Sequence, residues 1–186
     1  VFIEALAKVT VVALDKTGTI TNGEPEVTDL VMLPDAPHAQ NEVLAIAAGI
    51  ESRSQHPLAR AVMDYSAKTQ VTPRAITEFR SLTGAGAAAR VEGAGNGEVF
   101  IGSPALFEQE LNVSLAAASA EIAHLQSSGK TVIVVGAADR AWALIAIRDN
   151  VRANAVAAIR TLHEVGVKQV VMLTGDNRRT AEAIAR

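Results

Sequence analysis

The residue best suited to chemistry in this sequence is Asp15, which ends the apolar, β-branched run Val9–Leu14. This run predicts a buried strand, and Lys16-Thr17-Gly18-Thr19 after it predicts a tight loop. A carboxylate can act as a nucleophile, and the amides and hydroxyls that follow Gly18 can hold phosphate oxygens. Because a carboxylate and a phosphoryl group repel each other, the attack needs a cation, for which Mg²⁺ serves best. We therefore expect phosphoryl transfer with Asp15 as nucleophile and metal ligand; a helix cap or turn is the structural alternative.

A second loop of the same kind, Thr174-Gly175-Asp176-Asn177, follows the apolar run Val170–Leu173. If the two apolar runs are parallel neighbours in one sheet, Asp15 and Thr174 both emerge at its carboxyl edge, where open α/β sheets bind ligands. A Thr-Gly-Asp tripeptide alone is an ordinary turn. The second loop therefore matters only beside Asp15.

The elements that must position these loops lie at opposite ends of the chain, with a different pattern between them. The middle contains, in order, helices at 41–50 and 58–68, hairpins over 76–107 split at Gly84, Gly86, Gly93, Gly95, Gly97 and Gly102, a helix at 114–128 ended by Gly129, and strands at 131–135 and 142–147. An amphipathic helix follows from Val151 to Glu164, and its order between two strands predicts a right-handed parallel crossover. We therefore predict an α/β layer interrupted by an α+β insertion, with hinges near Gly23–Glu24 and Ile147–Arg148.

The composition excludes several classes of protein. The 17 Lys and Arg against 20 Asp and Glu give a net charge of −3, so nucleic acid is not an expected partner. No apolar run approaches the roughly 20 residues that a bilayer crossing needs. The absence of cysteine excludes disulfides, thiolate metal sites and cysteine nucleophiles. Because the chain begins at Val1 without a leader pattern, we expect a piece cut from a longer protein.

The run Asp15-Lys16-Thr17-Gly18-Thr19-Ile20-Thr21 resembles the phosphorylation signature of P-type ATPases, which lie within the haloacid-dehalogenase-like superfamily. The resemblance implies that Asp15 becomes a transient aspartyl-phosphate, that Lys16 and Thr17 share the catalytic loop, and that the Thr17 carbonyl joins Asp15 in binding Mg²⁺. Thr174, Gly175 and Asp176 match the family's second loop, which holds the phosphoryl oxygens.

The fold implied by the resemblance is α/β. It is a partial haloacid-dehalogenase-like (Rossmann-like) phosphorylation domain with an inserted α+β nucleotide-binding domain, whose antiparallel sheet is flanked by helices. We expect residues 1–23 and 147–186 in the phosphorylation domain and residues 24–146 in the nucleotide-binding domain.

The segment from Glu51 to Ala59 resembles the Ser-x-His-Pro-Leu segment of the heavy-metal (P1B) branch of the P-type ATPases. The resemblance implies that His56 and Glu51 lie near the adenine of ATP, where an imidazole can stack on the base and a carboxylate can accept from its amine. From the residues alone, His56 could instead cap a helix beginning at Pro57 while Glu51 is a solvated residue at a helix end.

Two glycine-containing segments also resemble the nucleotide pocket of that branch. Gly84-Ala85-Gly86 matches its glycine pair, and Gly102-Ser103 stands where relatives usually have Gly-Asn. A hairpin that needs positive φ explains the glycine pair equally well. Gly129-Lys130-Thr131 resembles the family too, but it lacks the glycine-rich loop of a Walker A motif, and Gly129 is interpreted as a helix cap.

The function implied is the ATP-binding and phosphorylation region of a heavy-metal cation pump, with ATP and Mg²⁺ as its ligands. We expect a cytoplasmic domain of an integral protein of the bacterial plasma membrane, whose partners are the transmembrane and actuator domains. The transported cation would bind elsewhere, and the Ser-Gln-His-Pro variant favours Zn, Cd, Co or Pb over Cu. The family's downstream lysine and Gly-Asp-Gly-x-Asn-Asp loop do not occur here, so the chain alone should bind ATP weakly and turn over poorly.

Two alternatives stay open. One is a soluble phosphatase of the same superfamily, which would carry a second Asp two residues after the nucleophile. Thr17 holds that position here, so an acyl phosphate should outlive rapid hydrolysis. The other is a nucleotide-binding regulatory module without catalysis.

Overall fold

The computed structural model describes residues 8–34, 36–91 and 97–185, which contain two separate β-sheets. The strands are β1 (Val11–Asp15), β2 (Glu26–Met32), β3 (Ile76–Leu82), β4 (Gly86–Val91), β5 (Glu98–Gly102), β6 (Thr131–Ala137), β7 (Arg140–Arg148) and β8 (Gln169–Leu173). The helices are α1 (Gln40–Glu51), α2 (Pro57–Lys68), α3 (Ser119–Ser127), α4 (Ala155–Glu164) and α5 (Arg178–Ile184). The first seven residues, and Gly93 and Gly95 of the predicted hairpins, lie outside the described residues.

The larger sheet has six strands in the order β2-β7-β6-β5-β4-β3, and every neighbouring pair is antiparallel. In chain order, β2 is the first strand of this sheet and β7 is the last, and the two pair so that Glu26 lies opposite Arg148. The insertion therefore starts and finishes at the same edge of its sheet. This arrangement confirms the predicted α+β insertion with an antiparallel sheet flanked by helices.

Both faces of this sheet are covered, which explains why its central strands are almost wholly apolar. On one face, α1 and α2 pack against alternate strand residues such as Ile133 and Val135. On the other face, α3 and the helical turn Leu106–Glu110 pack against Val132 and Val134. The two hydrophobic clusters of the described residues lie on the two faces of this sheet. Each fully buried aliphatic side chain in them contributes about 1.5–3 kcal/mol relative to exposure.

Two helices begin later than the sequence pattern predicts. The region predicted to be helical from residue 114 first forms a 3₁₀ turn at Ala116–Ala118, and α3 follows at Ser119. The helix predicted from Val151 begins at Ala155, because Val151 forms a β-bridge with Thr21 and its backbone is extended there. The predicted end of α3 is confirmed, since Gly129 follows it with a φ of +76°.

The smaller sheet is the parallel pair β1 and β8. The prediction that β1 is a buried strand is wrong, since Val11 is 52% exposed in this two-stranded sheet. The predicted crossover is also wrong, because β7 and β8 belong to different sheets and the parallel partner of β8 is β1. Among the described residues, no helix has both the length and the apolar character needed to cross a bilayer.

Candidate active site

The two acidic loops meet at one edge of the small sheet. The register of the parallel pair places Asp15 opposite Leu173, so the residue after each strand, Lys16 or Thr174, enters a loop on the same side. The side chain of Asp15 is exposed there. The structure therefore brings together the two motifs that lie more than 150 residues apart in sequence.

The loop after Asp15 is held in a compact shape by Thr21. The carbonyl of Lys16 accepts hydrogen bonds from the Thr21 amide (2.9 Å) and hydroxyl (3.0 Å), and the Gly18 amide donates to that hydroxyl (3.3 Å). Gly18 has a φ of +76°, a left-handed conformation that favours glycine. The turn predicted at Gly18 is confirmed, and it leaves Asp15 at the top of the strand.

Lys16 connects this loop to the second one. Its side chain is only 10% exposed, and its Nζ forms an ion pair with Oδ2 of Asp176, whose side chain is 12% exposed. The other carboxylate oxygen of Asp176, Oδ1, accepts a hydrogen bond from the Thr131 hydroxyl at 2.9 Å. Both oxygens of Asp176 are therefore engaged, one by the loop after β1 and the other by the first residue of β6.

The remainder of the second loop is organised by local hydrogen bonds. The Thr174 hydroxyl accepts from the Asp176 amide at 3.0 Å, and Asn177 caps α5 by accepting from the Thr180 amide at 3.1 Å. A Cβ added at Gly175 would meet open space. The backbone at Gly175 is thus free of packing on that side, as a loop that receives a ligand requires.

Sequence reasoning missed two residues that hold the phosphorylation loop from the other side of the chain. Oδ2 of Asp149 accepts from the Thr21 hydroxyl (2.6 Å), and its Oδ1 accepts from the amides of Gly23 (3.1 Å) and Glu24 (3.3 Å). The guanidinium of Arg152 donates to the carbonyls of Thr21 and Gly18, both at 2.9 Å. Only their position beside the predicted hinge at Ile147–Arg148 could have pointed to them.

The segment predicted to face adenine has well-defined local structure. The amide of Leu58 donates to Nδ1 of His56 at 3.2 Å, so His56 caps α2 as the structural alternative proposed. The cap uses Nδ1 as an acceptor, which leaves the exposed Nε2 edge and the ring face for other contacts. Glu51 is the last residue of α1, but it is half-buried and not solvated. Burial raises its pKa to about 7, although a hydrogen bond with Ser54 opposes this.

The structure brings together the two glycine segments predicted to approach the nucleotide. Gly86 lies opposite Gly102 in the β4–β5 pair, and the Ser103 amide donates to the Ala85 carbonyl at 2.8 Å. A Cβ on Gly86 would lie 2.1 Å from the Ile101 carbonyl oxygen, whereas one on Gly84 would meet open space. Gly86 is therefore required by the close approach of β5. Gly84 is a turn residue with a φ of +73°.

The predicted magnesium ligands offer a small set of oxygen donors. Asp15 supplies an exposed carboxylate, and the carbonyls on either side of Thr17 are engaged by Thr21 and Arg152. Within residues 8–34, 36–91 and 97–185, no group of three or more His, Asp or Glu could hold a metal. One carboxylate and a backbone carbonyl fit Mg²⁺, which keeps several waters and binds substrate phosphates.

Comparisons with known proteins agree over the whole chain. A family model for haloacid dehalogenase-like hydrolases matches residues 9–186. A cadmium-transporting ATPase of Staphylococcus aureus is 41% identical over 189 residues, which cover 99% of this chain and 25% of that protein. Copper-transporting ATPase 2 of Rhizobium meliloti (strain 1021) is 40% identical over 185 residues, which cover 99% of this chain and 21% of that protein.

A solved structure has a similar fold over nearly the whole chain. The crystal structure of a zinc-transporting PIB-type ATPase in the E2.Pi state is 36% identical, with a TM-score of 0.65, over 98% of this chain and 28% of that one. The chain spans about a quarter of the length of these relatives. Because the family model covers both acidic loops and everything between them, the chain belongs to the haloacid dehalogenase-like hydrolases.

Proposed function

We propose that this chain is the ATP-binding and phosphorylation region of a heavy-metal-transporting P-type ATPase, and that Asp15 accepts the γ-phosphoryl group of ATP. One observation carries the proposal: an exposed carboxylate stands at the carboxyl edge of a parallel strand pair, beside the Thr174–Asp176 loop. The ion pair between Lys16 and Asp176 holds the two loops together, and it places a cation in the loop that begins directly after the nucleophile.

In the proposed reaction, a carboxylate oxygen of Asp15 attacks the γ-phosphorus in line with the leaving oxygen. The bond between that phosphorus and the β–γ bridging oxygen breaks, and ADP departs with the bonding electrons. Lys16 offsets the charge on the transferred group, and the amides around Gly175 donate to its oxygens. Water later attacks the acyl phosphate, which releases phosphate and restores the Asp15 carboxylate.

Thr17 accounts for the persistence of the acyl phosphate in this proposal. A threonine hydroxyl does not protonate a leaving group as readily as a carboxylic acid does. The side chain of Thr17 is exposed, and its backbone is extended (φ −75°, ψ 121°). In this proposal its carbonyl, two residues after the Asp15 carboxylate, is the second oxygen ligand. These two groups would hold Mg²⁺, which neutralises the repulsion between carboxylate and phosphate when bound.

ATP would bind with its adenine near Glu51, His56, Gly84 and Gly86, and with its ribose or phosphates near Gly102 and Ser103. Ser103 is shorter than the Asn usual in relatives, and its hydroxyl already accepts from the Leu106 amide at 3.2 Å. Because accepting a hydrogen bond leaves its own hydrogen unused, that hydroxyl can still donate to the ribose or to a phosphate. The pairing of Gly86 with Gly102 fixes how the two glycine segments lie next to each other.

The pump itself would supply the other parts. We propose that the chain lies on the cytoplasmic side of a bacterial plasma membrane, coupled to transmembrane and actuator domains that bind and move the cation. The Ser-Gln-His-Pro segment favours Zn, Cd, Co or Pb as that cation. Overall identity does not choose the metal, since the cadmium and copper relatives are nearly equally similar.

The decisive experiment treats the whole pump with γ-labelled ATP. The proposal expects acid-stable, hydroxylamine-labile label that disappears in Asp15→Asn and persists in the matched control Asp139→Asn, whose carboxylate lies in an exposed hairpin turn. Nucleotide binding without label would favour a regulatory module, and label lost within milliseconds without cation transport would favour a phosphatase. Either result would overturn the proposal.

A separate experiment tests the nucleotide site on the 186-residue chain. Addition of ATP should shift the amide NMR signals of the segment around His56 and those of the Gly84–Gly86 turn. The matched control is His163, which lies in α4 and should not shift. Absence of shifts around His56 would remove the adenine assignment.

A further inference from the structure

The Gly129-Lys130-Thr131 segment has no part in the function proposed above beyond the helix cap at Gly129, yet it lies against the second acidic loop. Thr131 begins β6, and its hydroxyl donates to Oδ1 of Asp176 at 2.9 Å. One residue earlier, the carbonyl of Lys130 accepts from the hydroxyl of Thr180 in α5 at 3.0 Å. We call these two hydrogen bonds, Thr131–Asp176 and Lys130–Thr180, the β6–α5 junction.

The junction is partly buried and is anchored on both sides. Thr180 is fully buried, and its hydroxyl also accepts from the side-chain amide of Asn177 at 3.0 Å. On the other side, Nζ of Lys130 donates to Oδ2 of Asp29 in β2 at 2.6 Å. Burial would raise the pKa of Asp29, but hydrogen bonds from Lys130 and Thr28 and the charges of Lys130 and Arg148 hold it below its ordinary value.

Thr131 and Lys16 share one carboxylate. Asp176 gives Oδ2 to Lys16 and Oδ1 to Thr131, so the two contacts together fix the rotation of the carboxylate about its Cβ–Cγ bond. Hydrogen bonds to a charged group are stronger than those between neutral groups. Without the Thr131 hydroxyl, the carboxylate can turn and Lys16 loses its fixed direction.

We propose that Thr131 is a positioning residue for phosphoryl transfer, which acts through Asp176 to orient Lys16 in the loop that follows Asp15. The proposal rests on the function proposed above, and it assigns a role to a residue of the inserted six-stranded sheet. The same hydrogen bond connects that sheet to the loop of the parallel pair, so it also contributes to the orientation of one sheet relative to the other.

The first test measures orientation in the 186-residue chain. Because the chain has no cysteine, spin labels at Ala138→Cys and Arg160→Cys, both exposed, report one distance. It runs from the β6–β7 turn of the larger sheet to α4, the helix that precedes β8. Thr131→Val should broaden the distance distribution, and Thr131→Ser should restore it. The matched control is Thr161→Val, which removes a hydroxyl that donates to the Ala157 carbonyl within α4.

The second test measures kinetics in the whole pump. Thr131→Val should lower the rate of phosphoenzyme formation at saturating ATP about tenfold, the effect expected for losing a hydrogen bond to a charged group, with the KM for ATP unchanged within twofold. Thr131→Ser should recover most of the rate. A structural role alone would lower the amount of folded pump without separating the rate from KM.

Four results decide the matter. An unchanged distance distribution in Thr131→Val overturns the proposal, as does an unchanged rate or a KM that rises in parallel. If the wild-type pump forms no phosphoenzyme, the proposed function fails. If the wild type is phosphorylated and Thr131→Val matches it, only the role of Thr131 fails.

Discussion

At the scale of single residues, the two aspartates of the site lie in opposite surroundings. Asp15 is exposed, and among the residues that the structure describes it has no hydrogen-bond or ion-pair partner. Asp176 is shielded and engaged through both oxygens, by Lys16 and Thr131. The first carboxylate is therefore free to react, whereas the second is committed to holding its neighbours in place.

This contrast predicts different effects on stability. Lys16→Met leaves the shielded carboxylate of Asp176 without its cation and should lower the free energy of unfolding by about 3 kcal/mol. Asp15→Asn removes an exposed charge and should change it by less than about 0.5 kcal/mol. Urea denaturation at pH 7 measures both. Equal effects of the two substitutions would show that the ion pair does not form in solution.

Glu51 predicts a dependence of stability on pH. Its pKa is raised to about 7 in the folded chain by burial, from an ordinary value of 4.5, so the folded state binds the proton more tightly than the unfolded state. The free energy of unfolding should therefore fall as the pH rises from about 4.5 to 7, by up to about 3 kcal/mol, and then level off.

The substitution Glu51→Gln should remove that slope, because a neutral amide cannot titrate. Thermal unfolding at pH 5, 6, 7 and 8 measures the difference, with Glu108→Gln on the surface as the matched control. Parallel pH profiles for wild type and Glu51→Gln would contradict the assignment.

At the scale of elements, the β4–β5 pair depends on a backbone without side chains at Gly86. A Cβ at this position would overlap the Ile101 carbonyl oxygen and lie 2.6 Å from the Gly102 Cα. The space at Gly84 is open, and only its positive φ restricts substitution there. Glycine is therefore required at position 86 by the close approach of β5, and at position 84 by the positive φ alone.

We expect Gly86→Ala to separate the two strands and destabilise the chain by at least 3 kcal/mol. Gly84→Ala should lower stability by about 1 kcal/mol, the cost of a left-handed conformation for alanine. The control is Gly97→Ala, where a Cβ meets open space and φ lies outside the left-handed region. The order of the three melting temperatures checks the prediction, and a Gly86→Ala variant as stable as Gly97→Ala would refute it.

The elements also show which features follow from sequence and which do not. The meeting of Asp15 and Thr174 could be predicted, because two apolar runs ending in polar loops imply parallel strands with a shared edge. The start of α4 could not, because Val151 fits the helical spacing while its backbone pairs with Thr21. Thr131, Asp149 and Arg152 act through contacts between distant segments, which leave no local pattern.

At the scale of the whole molecule, two antiparallel segments join the sheets. The Asn22 amide donates to the Asn150 carbonyl, and the Arg152 amide donates to the Ile20 carbonyl, both at 2.9 Å. The side chains of Asp149 and Arg152 fasten these segments to each other. Any rotation of one sheet against the other must bend this pair of segments.

The carboxylate of Asp149 should control how firmly the segments are held. In Asp149→Ala, the amides of Gly23 and Glu24 lose their acceptor, and we expect their hydrogen exchange to accelerate at least tenfold. Asp139→Ala, which removes an exposed carboxylate paired with its neighbour Arg140, should leave these rates unchanged. Exchange at the two amides that stays at the wild-type rate in Asp149→Ala would argue against this role.

The pairing of β2 with β7 has a consequence for how such a molecule can be rearranged. Because Glu26 and Arg148 are paired neighbours, the two ends of the inserted region lie side by side where they join the part of the chain that carries β1 and β8. A segment with adjacent ends can be excised, circularly permuted or transplanted into another host loop without stretching either partner. The region from β2 to β7 should thus tolerate replacement or sequence change as a unit, while the loops after β1 and β8 keep their structure.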